Sequence, residues 1–151
     1  MVLDNFKKAN LLYEQDYYLW IEQTINLLQD QKFSEIDLVN LVEEIKDMGK
    51  SEKRAINSNL RILLMHLLKY RYQSEKRSNS WLFTIVEHRK RIQESLEISP
   101  SLKAYYHEVF AKCYQDAREL AAAETGLSID LFPPTPIFTP ENVLNSDYLP
   151  L

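Results

Sequence analysis

Basic, hydroxyl and amide side chains lie close together between Lys69 and Arg91 and form the first candidate site. The candidate anion-binding residues are Lys69, Arg71, Lys76, Arg77, Ser78, Asn79 and Ser80. The last three stand where a predicted helix begins, and such N-termini favour phosphate or carboxylate, to which arginine adds bidentate hydrogen bonds. Aromatic rings that can stack on nucleotide bases alternate with the basic residues: Tyr70, Tyr72 and Trp81. The segment therefore predicts a site for a nucleic acid, a nucleotide or an acidic protein.

The same segment also has a purely structural interpretation, in which its charges are balanced inside the fold. Residues 1–48 contain ten acidic and four basic residues, whereas residues 69–91 contain seven basic and two acidic ones. Under this interpretation Ser78 and Asn79 only cap a helix, and Trp81 packs in the core. The overall net charge of -4 also argues against a large non-specific DNA surface. Both interpretations remain open.

A second candidate site is a divalent-metal centre inside a helical bundle, which would make the protein a metal-dependent enzyme. Its candidate ligands are His66, His88 and a carboxylate of Glu43, Glu44 or Asp47. Bundle metal sites are built from Glu and His residues on facing helices, commonly spaced as Glu-x-x-His. The chain contains no Glu-x-x-His pair and no His-x-x-x-His pair. The alternative interpretation is that the histidines are hydrogen-bonded core residues and that the carboxylates form salt bridges.

Other chemistry finds little support in the composition. Two glycines among 151 residues cannot build the glycine-rich loops that bind nucleotide phosphates, and no motif implies a particular cofactor. The single cysteine, Cys113, lies on an apolar stripe and is expected to be buried. One cysteine excludes a disulfide scaffold and fits a reducing compartment, so we predict a cytoplasmic protein. No apolar run reaches the roughly 20 residues that span a bilayer, so no membrane partner is predicted.

The elements that must position these residues are helices, because apolar residues recur at helical spacing nearly throughout the chain. Five helices are predicted: residues 14–31, residues 34–49, a third with an apolar stripe over 56–68, a fourth with a stripe over 81–96, and a fifth over 99–126. Gly49 is predicted to stop or kink the second helix, with Ser51 as a new N-cap. The aromatic stripe of Tyr13, Tyr17 and Trp20 is interpreted as part of the core or as a contact with a partner helix.

Residues 127–151 form a tail of a different kind. The run Phe132-Pro133-Pro134-Thr135-Pro136 must be extended, since each proline biases the preceding residue away from the helical region. The tail also carries large apolar residues, and burying each of them is worth roughly 1.5–3 kcal/mol. We therefore expect the tail to pack on the helices, with Thr139 and Pro140 capping a short helix near residues 141–144.

The predicted fold class is all-α. It is a compact antiparallel bundle of four to five helices with an extended Pro-rich C-terminal tail packed on it. Residues 1–151 are predicted to form a single helical domain, with a core over residues 12–126 and a C-terminal strap over residues 127–151.

Six segments together resemble a known family. They are LYEQDYYLW (residues 12–20), DLVNLVEEIKDMGKSEKRA (37–55), LLMHLLKYRYQ (63–73), RSNSW (77–81), SPSL (99–102) and ETGL (124–127). Their order and spacing are similar to the bacterial family catalogued as domain of unknown function 29, over nearly the whole chain. The resemblance implies an all-α cytoplasmic protein of uncharacterised activity, and it implies no catalytic residues. The sequence departs from the family pattern at His88, where the family usually carries glutamine.

Taken together, the sequence predicts a small interaction module that binds an anionic partner, nucleic acid or acidic protein, through residues 69–91. The alternative function is the metal-dependent enzyme with its His and carboxylate site. Whether the protein forms a homo-oligomer stays open at this point.

Overall fold

A computed structural model describes residue 8 and residues 11–151, and the regular elements within them are all helical. The α-helices are α1 (Tyr17–Gln29), α2 (Leu38–Tyr72), α3 (Asn79–Ile98), α4 (Lys103–Thr125) and the short α5 (Pro140–Leu144). Residues 11–15 are also helical and lead into α1. The described residues contain no strand, which confirms the all-α prediction. No helix among them has the length and apolar character needed to cross a membrane.

The chain divides into two compact units, Met1–Lys50 and Ser51–Leu151. Helix α1 belongs to the first unit, whereas α3, α4 and α5 belong to the second. Helix α2 contributes its first part to one unit and the rest to the other, so the division falls inside a continuous helix.

Helix α2 runs through Gly49 without interruption, for 35 residues. The predicted stop at Gly49, with a new N-cap at Ser51, is therefore wrong, whereas the kink given as the alternative stays a prediction. A single glycine inside a helix costs only about 1 kcal/mol relative to alanine. The glutamates and lysines on both sides are strong helix formers, and the apolar stripe continues with helical spacing, so the helix continues as well.

Capping residues stand at several of the other helix boundaries. Asp16 accepts a hydrogen bond from the Leu19 amide at the start of α1. Asp37 does the same for the Asn40 amide at the start of α2. Helix α4 ends at Gly126, whose φ of 73° is the left-handed conformation that glycine adopts without strain.

The core of the second unit is formed by the later part of α2, by α3 and α4, and by the tail. Its buried apolar residues include Ile56, Leu60, Leu63, Leu64, Leu67, Leu68, Ile85, Ile92, Tyr106, Phe110, Cys113, Tyr114, Ala117, Phe132, Phe138 and Val143. The last three come from the tail, so residues after α4 complete the core of this unit.

Side-chain donors hold the tail through its backbone carbonyls. The buried guanidinium of Arg89 donates from Nε to the Val143 carbonyl and from Nη2 to the Tyr148 carbonyl, both at 2.8 Å. The hydroxyl of Tyr106 donates to the Pro140 carbonyl at 2.7 Å. Pro140 and Val143 lie in the five-residue helix α5, and Tyr148 follows it. So short a helix leaves most of its carbonyls without an intrahelical partner, so donors come from elsewhere.

Candidate functional site

An apolar groove lies between α1 and the first part of α2, entirely within the first unit. Its lining residues are Tyr17, Trp20, Ile21, Thr24, Ile25 and Leu28 from α1, and Leu41, Glu44, Ile45 and Met48 from α2. The groove has a volume of about 170 Å³. The lining positions of each helix recur at helical spacing, and all of them except Thr24 and Glu44 are apolar, which is why two neighbouring stripes form its walls.

The apolar surface around this groove is largely uncovered. Twelve of the 21 exposed large hydrophobic residues of the described chain lie between Leu11 and Met48. On the groove wall itself, Ile25, Ile45 and Met48 are 46%, 58% and 67% exposed. Exposed apolar residues concentrated in one part of a chain in this way are typical of an interaction site.

Glu44 is the charged residue on the groove wall, and two tyrosines fix its carboxylate. The hydroxyls of Tyr13 and Tyr17 donate to Oε1 and Oε2 respectively, each at 2.5 Å. These hydrogen bonds lower the pKa of Glu44 and raise that of Tyr13 to about 12. The carboxylate is therefore ionised at neutral pH and held in one orientation.

Trp20 lines the groove and packs against both tyrosines. Its ring packs edge-on against Tyr13, with centroids 4.8 Å apart, and lies nearly parallel to the Tyr17 ring. Its indole Nε1 is buried and finds no hydrogen-bond partner within the described part of the chain. The aromatic stripe noted in the sequence thus supports the groove from one side.

Lys69, the first residue of the predicted anion site, points into the second unit. It is only 3% exposed. Its ammonium lies 2.9 Å from Glu124 Oε1 and 4.4 Å from the centre of the Trp81 ring. Its charge is used inside the fold.

Arg77 and Ser78 are also engaged locally. Arg77 Nε donates to the Tyr70 carbonyl at 2.8 Å, and its guanidinium carbon lies 4.1 Å from the centre of the Tyr70 ring. The Ser78 hydroxyl accepts from the Trp81 amide and caps α3. Four of the seven predicted residues keep exposed side chains that make no hydrogen bond or ion pair with the described residues: Arg71, Lys76, Asn79 and Ser80.

Arg71 differs from the other three because it lines a second cavity, of about 350 Å³. The walls of this cavity include Tyr72 and Tyr148. The arginine guanidinium lies 5.8 Å from the Tyr72 ring centre, so an aromatic surface supports it.

The two candidate metal-ligating histidines make separate hydrogen bonds. His66 Nδ1 donates to the Ile62 carbonyl at 3.0 Å, and His88 Nδ1 lies 2.8 Å from Asn59 Oδ1. Burial lowers the pKa of both imidazoles. Both histidines belong to the second unit.

The candidate carboxylates Glu43, Glu44 and Asp47 belong to the first unit. Glu43 pairs with Lys46 at 3.3 Å, and Glu44 accepts from the two tyrosines. Among the residues that the structure describes, no three His, Cys, Asp or Glu side chains come together in a way that could hold a metal ion.

Cys113 has the environment of a structural thiol. It is buried, and its Sγ lies 3.1 Å from Asn57 Oδ1. Burial raises the pKa of the thiol to about 11, so it carries almost no thiolate at neutral pH, the form that acts as a nucleophile.

The groove was not among the sites predicted from the sequence. A signal for it exists, because the apolar stripe of Leu38, Leu41, Val42, Ile45 and Met48 at the start of α2 includes the groove residues Leu41, Ile45 and Met48.

The chain matches a known protein family over nearly its whole length. A family model described as Domain of unknown function DUF29 matches residues 12–149. Neither the curated proteins nor the solved structures give a match to this chain.

Proposed function

The chain belongs to the family described as Domain of unknown function DUF29, and since that description names no activity, we propose a function from the residues of the chain themselves. The protein is a helical interaction module. Its first unit binds the apolar face of a partner helix in the groove between α1 and α2. The proposal extends to a bacterial, cytoplasmic protein, supported by the family resemblance and by the single buried cysteine.

The observation that carries this proposal is the exposed apolar wall formed by Ile25, Ile45 and Met48. A partner helix that lies along the groove contacts the apolar stripes of both α1 and α2. Binding buries these two stripes together with the apolar stripe of the partner, as in other helix-in-groove complexes. Each large apolar side chain that becomes fully buried contributes roughly 1.5–3 kcal/mol. These side chains are half exposed in the free chain, so a large part of that contribution is still to be gained.

Synthetic amphipathic peptides about 18 residues long, or about five helical turns, test the proposal. They carry a fluorescent label and share one stripe of leucines, and binding is followed by fluorescence anisotropy. We expect saturable binding that the variant Ile45→Asp weakens at least about tenfold, because a charge on the groove wall must be desolvated.

The matched control is Val39→Asp, which places the same charge on an exposed residue of α2 outside the groove lining. It should leave the affinity within about twofold. Circular dichroism of both variants checks that the helices are retained. Absence of saturable binding by every leucine-striped peptide would refute the groove as a helix-binding site.

A second candidate function is binding of an anionic partner by the part of the basic segment that stays exposed. It is supported by the exposed side chains of Arg71 and Lys76, which precede the first residues of α3, Asn79 and Ser80, in the chain. Labelled single-stranded RNA and DNA, titrated at two salt concentrations, test it. Binding through phosphates should weaken steeply with salt.

The charge-reversal pair Arg71→Glu and Lys76→Glu should then weaken nucleic-acid binding by about tenfold or more. The matched control reverses Lys103 and Lys112, two exposed lysines of α4. If both double variants lose the same affinity for nucleic acid, the effect comes from overall charge alone, and this segment is not a specific binding site. The alternative of a metal-dependent enzyme finds no supporting cluster in the described residues, and we do not propose it.

A further inference from the structure

We infer that the helix bound in the groove is a basic one, with lysine or arginine beside its apolar stripe and one of these cations paired with Glu44. This inference rests on the proposed function, because it names the partner of the same groove. It is carried by the charges around the groove and by the fixed carboxylate on its wall.

The first unit, which contains the groove, is acidic, with ten acidic residues and five lysines over residues 1–50. Residues 11–50 contain three lysines and nine acidic residues. The acidic residues are Glu14, Asp16, Glu22, Asp30, Glu35, Asp37, Glu43, Glu44 and Asp47. None of the lysines lines the groove, whose one charged wall residue is Glu44. A helix that enters it therefore meets a negative potential, which favours and steers a positively charged partner.

Glu44 is suited to receive a cation from that partner. Tyr13 and Tyr17 each donate one hydrogen bond to it, on different oxygens. Each carboxylate oxygen can accept at least one further hydrogen bond, so the group keeps capacity for a lysine or for both arms of an arginine. Because the tyrosines already fix its orientation, little additional entropy is lost when the partner binds.

The same charges disfavour the other occupants of an apolar groove. A second copy docked through this face would bring two acidic units together, and like charges facing each other across an interface cost free energy. An anionic membrane surface would be repelled for the same reason. A basic amphipathic helix satisfies both the apolar stripe and the acidic surroundings.

Three labelled peptides with the same leucine stripe test the inference, and they differ only in flanking residues: lysine, glutamine or glutamate. We expect the lysine-flanked peptide to bind at least about tenfold more tightly than the glutamate-flanked one, with the glutamine-flanked peptide between them. A lysine-flanked peptide interrupted by two prolines cannot form the helix and should not bind.

The variant Glu44→Gln should weaken binding of the lysine-flanked peptide by about fivefold to tenfold and leave the glutamine-flanked peptide unchanged. Weaker binding of both peptides would instead indicate a purely structural role of Glu44 and would overturn its pairing with a cation. The matched control is Glu43→Gln, which removes the same charge next to the groove but outside its lining. That control should weaken the lysine-flanked peptide less than about twofold.

Failure of the inference and failure of the proposed function give different results. Equal affinities for the three flanked peptides would overturn the basic partner while leaving a helix-binding groove. Absence of binding by all of them would overturn both. Self-association in sedimentation equilibrium that Ile45→Asp abolishes would assign the groove to a second copy and so contradict the basic partner.

Discussion

The ammonium group of Lys69 is buried in the second unit, where it pairs with the Glu124 carboxylate and lies over the Trp81 ring. Removing an ammonium group from water is costly, and here the ion pair and the aromatic face offset that cost. Glu44 is used in the opposite way, because its carboxylate is fixed at the edge of an open groove. Residue type alone does not distinguish these two situations.

The ion pair of Lys69 leads to a prediction about stability. Replacing Glu124 by Gln removes the carboxylate and leaves the buried ammonium without its countercharge. We expect the free energy of unfolding, measured with urea, to fall by about 1–3 kcal/mol, below the range for a fully buried pair because Glu124 is half exposed.

The control for that experiment is Glu43→Gln, which breaks the exposed pair with Lys46. Exposed pairs contribute little, so a change of about 0.5 kcal/mol or less is expected. Equal small losses in both variants would show that Lys69 does not depend on Glu124.

The buried His66 leads to a prediction about pH. Burial lowers the pKa of His66 below its ordinary value of 6.5; nearby Lys69 lowers it further, while the Ile62 carbonyl and Glu124 oppose the shift. Between the two pKa values the unfolded chain binds more protons than the folded one. The contribution of neutral His66 to the free energy of unfolding is therefore fully present above about pH 6.5. This contribution is lost as the pH falls below that value.

Melting temperatures recorded from about pH 8 to about pH 5 should therefore fall on the acidic side, and His66→Gln should flatten that fall. His107 should act in the opposite sense, because the Lys103 carbonyl and Glu141 raise its pKa. The variant His107→Gln should make the acidic loss steeper. An unchanged profile in His66→Gln would contradict the role given to burial.

At the scale of elements, α2 shows what local signals can and cannot predict. The apolar spacing of the sequence predicted α1, α3 and α4 correctly, because each has one stripe bounded by capping or turn residues. Gly49 was weighted too strongly as a local signal, since the surrounding 35-residue helix outweighs one unfavourable residue.

Gly49 also provides a test of this account. A Cβ added there would meet no heavy atom within 4 Å, and the backbone is helical. We therefore expect Gly49→Ala to raise the free energy of unfolding by about 0.5–1 kcal/mol.

The opposite result is expected at Gly126, where space is equally open but φ is 73°. Alanine is strained in that conformation, so Gly126→Ala should destabilise the protein by about 1 kcal/mol. Circular dichroism during urea unfolding measures both changes. Destabilisation by Gly49→Ala would indicate that α2 needs the glycine for a reason other than space.

The groove could not be predicted in the same way as the helices. Periodicity identifies the apolar face of α1 and of α2, but it does not say whether another element covers that face. The exposure of Ile45 and Met48 follows from the packing of the whole chain. The same reason applies to the basic segment, where only the structure separates the buried Lys69 from the exposed Lys76.

At the scale of the whole molecule, the two units differ in how much they bury. The first unit has four buried residues in its described part, Trp20, Thr24, Ile36 and Asp37, whereas the second holds an extended apolar core. Gly49, the predicted helix break, lies next to this division. The sequence still does not mark a boundary between two units, because α2 crosses it with unbroken helical periodicity and without a linker composition.

This difference predicts unequal hydrogen exchange along the chain. Backbone amides of α1 and of α2 before Lys50 should exchange at least about tenfold faster than those of α2 between Ile56 and Leu68, because local opening there exposes little buried surface. Mass spectrometry of peptic fragments measures the difference. Equal protection on both sides of Lys50 would show that the two units open together.

The tail has a consequence for how the second unit is made. During synthesis, α2, α3 and α4 emerge before Phe132, Phe138 and Val143, which complete their core. At about 5–20 residues per second, roughly 1–5 s pass between the addition of Thr125 and that of Tyr148. During that interval the nascent helices expose the apolar surface that the tail later covers. A chaperone that recognises exposed apolar surface can bind the chain in this period.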